Sequence, residues 1–578
     1  MDQKLERIRH SAAHLLAAAV LEIYPKAKPT IGPAIESGFY YDFDFGDVRV
    51  SESDLKMIEE KMTELLPNWK SFEVREVSAE EALAIYAENQ FKKELVEEIV
   101  SKGEKITFYR SGDFEDLCRG GHALRPYKEI GAFKLLSVAG AYWRGDEKQL
   151  MLTRIYGTAF EKKSELEAYL AQIEEAKRRD HKKLGKDLDL FTFSELVGSG
   201  LPLWTPRGTL VRNLLDDFVW SLRRERGYQK VSIPHITKKE LYITSGHWSK
   251  FSEELFKITT REGHEFAMKP MNCPHHTQIY AARARSYRDL PQRYCETTVC
   301  YRDEQSGELS GLSRVRSFAQ DDAHVFCRYV QLSDEIQKIY DIVTKFYGTL
   351  GFELSVRLSK HDPHQMEKYL GTEETWCKAE EILQRFLVDN NRDYVDGVGE
   401  AAFYGPKIDF MSKDALGRTW QVATIQLDMN MPERFDLYCN NETGEKERIV
   451  MIHAAIMGSI ERFLSVYIEH VGGAFPAWLA PVQVVVVPIA DRHSEYAEEF
   501  VQLLLERDVR PELDGRAETM QSKVRDAETQ KVPYILVVGD KEVESACVSV
   551  RKRGQGNLGI WESQRFLESI VSEIAEKR

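Results

Sequence analysis

The sequence predicts a multidomain protein that combines α+β and α/β domains. Its 578 residues correspond to roughly three to five domains at about 100 to 200 residues each. A hydrophobic share of 43%, with 11% aromatic residues beside 30% charged residues, is sufficient for a core in each domain and is atypical of disorder. Along the chain the pattern changes from helical periodicity to short β-type runs and back again, and these changes separate the segments.

Four segments follow one another. Residues 1–160 begin with a helical pattern over 5–21 and continue through alternating aromatic residues at 39–45, which indicates an α+β domain. Residues 161–186 form a charged pattern with one apolar stripe and a basic end, so we expect a linker helix. Residues 187–481 are rich in short β-type runs and carry most of the reactive residue types, which makes them the candidate catalytic domain. Residues 482–578 predict a small α/β domain with strand 482–487, helices 495–506 and 520–530, and strand 534–538.

Composition also limits compartment and partners. No apolar run approaches the roughly 18 to 20 residues of a membrane span, which excludes a membrane protein. Residues 1–9 lack the apolar centre of a secretory signal, so we expect a cytoplasmic protein. The eight cysteines are scattered, which predicts reduced thiols. Because the net charge is −14, any polyanionic partner must be held by local basic patches.

Three residues that are distant in the sequence form a candidate metal set. Cys273 stands in the stretch Met-Asn-Cys-Pro-His-His, His324 follows Asp-Asp-Ala, and His453 follows Met-Ile. A Cys-His-His set suits zinc and leaves one coordination position open for a substrate. Because the spacing is not that of a zinc finger, the alternative is that each residue is an ordinary buried cysteine or histidine.

A second set of residues suits a nucleotide. Arg302 and Glu304 are followed by alternating arginines in residues 314–316, which we expect on one face of a strand. Two guanidinium groups fixed there can hold a polyphosphate while Phe318 stacks on a base; the alternative is a salt-bridged surface strand. Arg462 follows a small-residue stretch at the start of a predicted helix, where an arginine can approach phosphate closely.

Taken together, these segments resemble the class II aminoacyl-tRNA synthetases. Arg302-Asp303-Glu304 is similar to their motif 2, residues 458–462 to their motif 3, and Pro234 to the motif 1 proline at the dimer interface. The resemblance implies an α+β editing domain at 1–160, an antiparallel-sheet catalytic core at 187–481 and an anticodon-binding domain at 482–578. Five further segments, over essentially the whole chain, resemble the threonyl-tRNA synthetases: residues 271–274, 320–324, 404–407, 420–421 and 451–453.

The resemblance implies ATP-dependent attachment of L-threonine to tRNA(Thr) through a threonyl-adenylate, by a homodimer that uses Mg²⁺ and one Zn²⁺ per subunit. Cys273, His324 and His453 are the implied zinc ligands, and the metal binds the amino group and hydroxyl of threonine. This answers a selectivity problem, because an apolar pocket separates threonine poorly from valine, which has the same shape but no hydroxyl.

The resemblance also assigns roles around ATP and the amino acid. It gives Arg302 to the α-phosphate and the threonine carboxylate, Glu304 to the adenine amino group, Phe318 to stacking on adenine and Arg462 to the γ-phosphate. His247 matches a histidine near the terminal ribose of tRNA that helps to move its proton. The remaining implied site residues are Arg314 and Gln421 on the nucleotide side, Lys407 for catalysis, and Met271, Gln320, Asp322, Tyr404, Gln426 and Ser459 around the substrate, where Asp322 accepts from the threonine hydroxyl.

A second, hydrolytic site is expected because serine also carries the hydroxyl. One missing methyl group is worth only about 1 to 3 kcal/mol, too little for accurate translation. His10 and His14 lie four apart on a predicted helix, and Cys118 and His122 lie four apart near a glycine pair. Each pair alone suits a structural role, but together they resemble the editing domain that clears serine from mis-charged tRNA. We expect water positioned by the imidazoles, with Lys92 and Asp116 nearby, and no metal.

The last segment is similar to the anticodon-binding domain of several class II synthetases. Glu542 and Arg551 match positions that read anticodon bases, and we expect the basic run at 551–553 to contact phosphates. Because the resemblance begins at the editing domain, we expect the small ubiquitin-like N-terminal domain of many bacterial members to be absent. Three positions depart from the family pattern: His275 replaces glycine, Ser310 replaces histidine and Ala517 replaces an anticodon-reading asparagine.

Two alternatives remain at this stage. One is a non-catalytic RNA-binding paralogue, which usually loses motif arginines or metal ligands, whereas all of them are present here. The other is a class II enzyme for proline, serine or histidine, which the Cys-His-His set and the double-histidine editing pattern disfavour.

Overall fold

A computed structural model describes residues 2–146 and 148–578. The chain forms two compact units. The first ends at Glu174 and the second begins at Glu175. Within the described residues, no helix combines the length and apolarity that a membrane crossing requires.

The first unit is built from a long helix, two antiparallel sheets and several short helices. The helices are α1 Gln3–Ile23, α2 Leu55–Leu65, α3 Ala79–Ile85, α4 Gln90–Ser101, α5 Pro126–Glu129 and α6 Lys163–Arg179, the last of which continues past Glu174. The strands are β1 Lys28–Pro29, β2 Ala34–Ile35, β3 Gly38–Asp44, β4 Glu73–Val77, β5 Ile106–Ser111, β6 Phe114–Leu117, β7 Ala132–Tyr142 and β8 Met151–Phe160.

Helix α1 and the larger sheet share the main core of this unit. The helix begins at Asp2, whose carboxylate accepts from the Lys4 N–H at 3.0 Å, and its alanine-rich run favours helix. It packs on strands in the order β1-β3-β8-β7, with β2 beside β3, and buries the predicted aromatic residues of β3. A smaller sheet, β4-β5-β6, carries α3 and α4 on a separate core.

The second unit contains the remaining elements. Its helices are α7 His181–Asp187, α8 Pro206–Arg224, α9 Lys239–Ser245, α10 His247–Lys250, α11 Cys273–Ala281, α12 Leu332–Thr349, α13 Glu373–Asp389, α14 Asn430–Arg434, α15 Ile460–Val471, α16 Ser494–Leu505, α17 Met520–Thr529, α18 Asp540–Glu544 and α19 Ser563–Ala575. Its strands are β9 Phe191–Thr192, β10 Leu203–Trp204, β11 Gln229–Lys230, β12 Ile236–Lys238, β13 Lys257–Thr259, β14 Glu265–Met268, β15 Gln292–Tyr301, β16 Ser317–Cys327, β17 Leu354–Lys360, β18 Val395–Val398, β19 Lys407–Lys413, β20 Thr419–Asp428, β21 Tyr438–Asn440, β22 Lys446–Arg448, β23 Val450–Ser459, β24 Val484–Pro488, β25 Pro511–Leu513, β26 Tyr534–Val538, β27 Cys547–Lys552 and β28 Gly556–Glu562.

An eight-stranded sheet is the centre of the second unit. Its order is β11-β15-β16-β23-β20-β19-β17-β18, and it is antiparallel except for the two edge pairs β11/β15 and β17/β18. Side chains alternate between its two faces. In β16, Ala323 and Val325 join the apolar core formed with α8, α12 and α15, so Asp322 and His324 point to the opposite face. One face is therefore a core and the other is free to form a site.

The C-terminal part has its own five-stranded sheet, in the order β25-β24-β26-β27-β28. Strand β24 is parallel to both β25 and β26, and the pairs β26/β27 and β27/β28 are antiparallel. Its strands and helices lie within a few residues of the predicted ones, and its core is separate from that of the large sheet. The predicted combination of an α+β domain, an antiparallel core and a C-terminal α/β domain is confirmed.

Two local predictions are wrong. The expected single linker helix is two helices, α6 and α7. The break falls at Asp180, which follows the last residue of α6 and caps α7 by accepting from the Lys182 N–H at 2.7 Å. The arginines of residues 314–316 precede strand β16 and lie in a loop, where Arg314 closes a tight bridge with Ser310. Alternation in a short polar stretch does not specify a strand unless one face is buried.

Candidate active site

A cavity of about 750 Å³ opens on the free face of the eight-stranded sheet. Strands β16, β19, β20 and β23 form its floor, and the segments after β15 and before β16 form one wall. All of the predicted nucleotide, substrate and metal residues except His247 line it: Met271, Cys273, Arg302, Glu304, Arg314, Phe318, Gln320, Asp322, His324, Tyr404, Lys407, Gln421, Gln426, His453, Ser459 and Arg462. Residues from five separate stretches of sequence therefore meet in one place.

The nucleotide end of the cavity carries two available guanidinium groups. Arg302 lies between aromatic rings, 5.1 Å from the ring centre of Phe318 and 5.2 Å from that of Phe251, and Arg462 lies 5.8 Å from Trp420. In the described part of the chain these two side chains have no carboxylate partner, and Arg302 Nε is buried without an acceptor. Guanidinium groups without a carboxylate partner can bind an anionic ligand.

Helix α15 presents Arg462 to the cavity. Ser459 caps the helix and accepts from the Arg462 N–H at 3.2 Å, which confirms the predicted helix start. Burial, with a smaller contribution from the positive charge of Arg314, lowers the pKa of Arg462. The helix N-terminus adds its partial positive charge at the same point.

Glu304 and Arg314 face each other across this wall. Arg314 Nε donates to Glu304 Oε2 at 2.7 Å, and Arg314 also pairs with Glu308 at 2.9 Å. Arg316 does not line the cavity within the described residues; its Nε donates to the Glu304 backbone carbonyl at 2.9 Å and helps to hold the loop. The expectation that both Arg314 and Arg316 face a phosphate from one strand is therefore wrong, since Arg314 lines the cavity and Arg316 does not.

The predicted metal ligands meet at the other end of the cavity. His324 and His453 are directly opposite each other on the adjacent antiparallel strands β16 and β23, and His324 Nε2 lies 3.1 Å from His453 Nδ1. Cys273, the first residue of α11, completes a buried group whose ligand atoms all lie within 4.8 Å of one another. Two nitrogens in a tetrahedral zinc site with bonds of about 2.0 to 2.1 Å are separated by roughly 3.3 Å, so the pair fits zinc.

Two outer contacts fix the orientation of these imidazoles. His453 Nε2 lies 2.9 Å from Asp428 Oδ2, and His324 Nδ1 lies 2.8 Å from His276 Nδ1. With Nε2 of His453 donating to the carboxylate, its Nδ1 is the lone-pair nitrogen that faces His324. Burial raises the pKa of the Cys273 thiol well above its usual value, so a bound cation is needed to hold the thiolate here.

The amino-acid end is completed by polar side chains from β16, from β20 and from the turn before β19. Burial raises the pKa of Asp322 to about 6, and its Oδ2 accepts from Asn272 at 3.1 Å. Tyr404 packs with its ring centre 5.0 Å from that of His453. Gln426 Nε2 donates to the Gly405 carbonyl at 2.7 Å. These contacts leave a small polar compartment beside the three metal-ligating side chains.

Asp409 organises the wall between the two ends. This fully buried carboxylate accepts from Lys407 Nζ at 2.8 Å, Gln421 Nε2 at 2.8 Å and Thr424 Oγ1 at 2.9 Å. It thereby holds both predicted residues, Lys407 and Gln421, at the cavity. Asp409, Asp428 and His276 were not predicted. Asp409 and Asp428 stand two positions after Lys407 and Gln426, so the alternation of side chains along a strand could have indicated them.

His247 lies outside the described lining of the cavity. It is fully buried, with Nδ1 2.9 Å from Ser245 Oγ and Nε2 3.3 Å from Met271 Sδ. Burial lowers its pKa to about 3, so the ring is neutral. As folded, His247 contacts the cavity lining through Met271 and through Tyr404, whose ring centre lies 6.3 Å from its own.

The predicted editing residues meet in the first unit. His10 and His14 share one face of α1, with ring centres 5.1 Å apart, and Cys118 Sγ lies 3.5 Å from both His10 Nε2 and His122 Nε2. A glycine pair turns the chain after Cys118; at Gly120, with φ +94°, an added Cβ would lie 2.5 Å from the Tyr109 hydroxyl. The four ligand atoms lie within 4.8 Å of one another, a donor set that also suits zinc.

The imidazoles of this cluster are held neutral. Burial lowers the pKa of His10, lowers that of His14 well below its usual value, and with His14 and His10 lowers that of His122 to about 2. Burial raises the pKa of Cys118 to about 11. The cluster thus offers neutral nitrogen atoms that can accept hydrogen bonds from a water molecule.

Lys92 and Asp116 lie beside the cluster as expected. Lys92 Nζ is 2.7 Å from Asp116 Oδ1, and both are almost completely buried. Asp116 also accepts from the hydroxyls of Tyr41 and Tyr86, at 2.5 and 2.9 Å, and lies 3.9 Å from His14 Nδ1. The two tyrosines were missed because nothing in the sequence links residues 41 and 86 to residue 116.

The C-terminal domain changes one prediction. Arg551 lies 3.6 Å from Glu528, and Glu542 Oε2 caps α18 by accepting from Gly539 N–H at 3.0 Å. Arg553 points inward and donates to backbone carbonyls, including that of Ala474 at 3.1 Å. The expectation of a phosphate-facing basic run over 551–553 is therefore wrong at its last position, because that guanidinium instead joins the C-terminal domain to the segment after α15.

The three departures from the family pattern have clear positions. His275 is buried in α11, and within the described residues both of its ring nitrogens are without a hydrogen-bond partner; burial lowers its pKa to about 4. It does not belong to the Cys273 group. Ser310 pairs with Arg314 in an isolated antiparallel β-bridge, and Ala517 lies exposed after β25.

Comparison with known families gives an independent result. Residues 256–471 match the tRNA synthetase class II core domain (G, H, P, S and T), residues 483–576 the anticodon binding domain, and residues 106–156 the threonyl and alanyl tRNA synthetase second additional domain. The threonine--tRNA ligase of Flavobacterium johnsoniae is 48% identical over 572 residues, which are 98% of this chain and 88% of the relative. The chain belongs to the threonyl-tRNA synthetase family. The threonine--tRNA ligase of Porphyromonas gingivalis is 50% identical over 571 residues, 98% of this chain and 87% of that relative.

Solved structures agree with this assignment. The RNA binding domain of threonyl-tRNA synthetase from Cryptosporidium parvum is 38% identical, with a TM-score of 0.65 over 68% of this chain and 98% of that chain. A prolyl-tRNA synthetase from the same organism, complexed with L-proline and AMP, shares the fold at 16% identity, a TM-score of 0.53, and coverage of 69% and 76%. The predicted family, fold class and enzyme class are confirmed, and the alternatives of an RNA-binding paralogue or a proline enzyme lose their basis.

Proposed function

We propose that this threonyl-tRNA synthetase forms threonyl-adenylate from L-threonine and ATP in the 750 Å³ cavity, transfers the threonyl group to tRNA(Thr), and hydrolyses Ser-tRNA(Thr) in the first unit. One observation carries the synthetic part of the proposal. The buried Cys273, His324 and His453 open into the same cavity as Arg302 and Arg462, whose guanidinium groups lack an anionic partner among the described residues. An amino-acid end and a triphosphate end thus share one enclosed space.

Catalysis in this proposal depends on positioning and charge. The threonine carboxylate attacks the α-phosphate, the bond from that phosphorus to the bridging oxygen breaks, and pyrophosphate leaves; Mg²⁺ bound to the phosphates would neutralise part of their charge. Arg302 stabilises the negative charge that develops on the α-phosphate oxygens, and Arg462 holds the γ-phosphate. Phe318 stacks on adenine and Glu304 accepts from its amino group once Arg314 turns to the phosphates. A side-chain nucleophile is unnecessary, since the substrate carboxylate is the nucleophile.

The metal-ligand group supports threonine selectivity. Cys273, His324 and His453 would hold zinc, which would supply a Lewis acid for the amino group and hydroxyl of threonine. Asp322 Oδ1 lies 3.6 Å from His324 Nε2, and in this proposal it accepts from the threonine hydroxyl. A valine side chain leaves this oxygen without a donor, and a buried carboxylate oxygen without a donor carries a cost that an apolar pocket cannot impose.

The cluster in the first unit supports hydrolysis of the serine ester. Neutral His10, His14 and His122 can orient a water molecule by accepting its hydrogen bonds, while the buried Lys92–Asp116 ion pair lies at the edge of the cluster. We propose that this reaction proceeds without a metal, although the donor set suits one. Purified protein then contains one zinc per chain, which Cys273→Ser abolishes and Cys118→Ser leaves in place; two zinc ions per chain would refute the metal-free site.

We further propose a cytoplasmic homodimer whose C-terminal domain reads the anticodon with Glu542 and Arg551. The class II resemblance of Pro234 and the match to the anticodon binding domain support this part. Analytical ultracentrifugation over a concentration series tests the dimer. Replacement of Arg551 with alanine tests anticodon reading, with an expected loss of tRNA affinity and unchanged adenylate formation.

The primary experiment is amino-acid-dependent exchange of labelled pyrophosphate into ATP, with threonine, serine, valine and proline measured in parallel. We expect strong exchange with threonine, weaker exchange with serine, background exchange with valine and proline, and loss of exchange after zinc removal. No exchange with any amino acid would refute the synthetic function, and full exchange after zinc removal would refute the role of the metal alone.

A further inference from the structure

His181 joins the linker to two walls of the candidate active site. It is the first residue of α7, it is 4% exposed, and both of its ring nitrogens are engaged. Nε2 accepts from the backbone N–H of Leu312 at 3.0 Å, and Nδ1 donates to Glu469 Oε1 at 2.6 Å. Because Nε2 is an acceptor, the ring is the neutral tautomer with its proton on Nδ1.

This group does not have the character of a metal site. Asp180, His181 and Glu469 are close enough to hold an ion. The hydrogen bonds to Leu312 and Glu469 occupy both imidazole nitrogens, however, so no lone pair remains for a metal. The cluster is therefore better suited to hold the protein chain.

The contact with Leu312 fixes the loop that carries the nucleotide wall. Leu312 is fully buried, and the next residues, Ser313, Arg314 and Val315, line the cavity. Gly311 has φ +50°, and a Cβ added there would overlap the His181 ring. The loop thus approaches the imidazole too closely for any side chain at position 311, which indicates a specific docking contact.

The contact with Glu469 extends the same connection to the opposite wall. Glu469 lies near the end of α15 and its Oε2 accepts from Arg418. Arg418 Nε donates to Asp414 Oδ2 at 2.7 Å, and the same oxygen accepts from Trp420 Nε1 at 2.9 Å. Trp420 is the ring that lies 5.8 Å from Arg462. A continuous chain of hydrogen bonds therefore runs from the loop, through His181, to the residue that packs against Arg462.

We propose that His181 is a positioning residue for ATP: its Nε2 holds the segment Leu312–Val315 against the cavity, so that Arg314 and Arg462 face the nucleotide together. The inference rests on the proposed binding of ATP in this cavity. Threonine binds at the opposite end, beside Cys273, so its affinity is independent of this contact.

Two substitutions of His181 separate its two hydrogen bonds. His181→Asn keeps an amide donor near the Nδ1 position for Glu469 but has no atom that reaches Leu312. His181→Gln reaches the Nε2 position with an oxygen that accepts from Leu312. In pyrophosphate exchange we expect His181→Asn to raise KM for ATP about tenfold, the effect of one lost hydrogen bond of about 1.4 kcal/mol, with KM for threonine within about twofold of wild type. His181→Gln should stay within about threefold for ATP.

Further variants keep the test decisive. Gly311→Ala pushes the loop away from an intact His181 and should also raise KM for ATP, which decides the matter if His181→Asn does not fold. His264→Asn, at an exposed turn between β13 and β14, is the matched control and should match wild type. Thermal melting reports folding, and calorimetric titration with ATP measures binding without catalysis.

The outcomes are distinguishable. An unchanged KM for ATP in His181→Asn, an equal rise for ATP and threonine, or identical behaviour of the asparagine and glutamine variants would overturn the inference. If the wild type lacks threonine-dependent exchange, the proposed function fails; the ATP affinities from calorimetry then still support or refute the role of His181 on their own.

Discussion

Replacement of Asp428 by asparagine tests the metal site through a residue that does not touch the metal. Asp428 is fully buried; Oδ1 accepts from the N–H groups of Asn430 and Met431 at 2.8 and 2.9 Å, while Oδ2 lies 2.9 Å from His453 Nε2. In Asp428→Asn the amide oxygen can keep the two backbone contacts. The amide NH₂ then faces His453 Nε2, which can no longer donate to it.

The consequence is a change of tautomer. His453 avoids two opposed donors by carrying its proton on Nδ1, the nitrogen that faces His324 and is required for the metal. Loss of such an outer contact weakens metal binding by about 10- to 100-fold, or roughly 1.4 to 2.7 kcal/mol. We therefore expect a zinc dissociation constant raised by that factor, with folding preserved because the backbone contacts of Asp428 remain.

The measurement is competition for zinc with a chromophoric chelator, combined with pyrophosphate exchange at a series of free zinc concentrations. Exchange by Asp428→Asn should be low at limiting zinc and recover at saturating zinc. Asp436→Asn, whose side chain is 71% exposed and paired with Arg448, is the matched control. A zinc dissociation constant within about twofold of wild type, or an activity loss that saturating zinc leaves unchanged, would refute the reasoning.

Three further predictions concern other parts of the molecule. Arg223→Met leaves buried Asp321 without its ion-pair partner and should lower the free energy of unfolding by about 3 to 5 kcal/mol in urea titration; a loss below about 1 kcal/mol would contradict the importance of the pair. His14→Ala should leave threonine charging intact while Ser-tRNA(Thr) accumulates, and unchanged clearance of Ser-tRNA(Thr) would move the editing site elsewhere. Burial alone raises the pKa of Glu469, but hydrogen bonds from His181 and Arg418 outweigh it and lower the pKa from 4.5 to about 2. The ionised carboxylate therefore contributes about 3 kcal/mol to the free energy of unfolding above pH 4.5, and this contribution is lost as the pH falls towards 2. In acid-dependent unfolding, the stability difference between wild type and Glu469→Gln should therefore shrink over that range. A constant difference would contradict this prediction.

Local sequence patterns were sufficient to predict many of the helices and strands of this protein and many of the residues that line the cavity. The repeat of apolar residues along α16 and α17 and the valine-rich β24 predicted the C-terminal domain almost to the residue, because helix and strand periodicity are properties of neighbouring residues. The motif segments named the residues that line the cavity, because chemistry of this kind requires particular side-chain types at particular spacings.

Local sequence is therefore enough to name the residues that take part and the elements that carry most of them. The tertiary structure decided which atoms meet. His324 and His453 face each other only because β16 and β23 pair in one register, and a shift of one strand by one residue would turn its histidine away from the cavity. The supporting roles of Asp428 and His181, and the inward direction of Arg553, depend on contacts between residues far apart in the chain. Burial and strand register are set by the packing of the whole unit, so no local pattern specifies them.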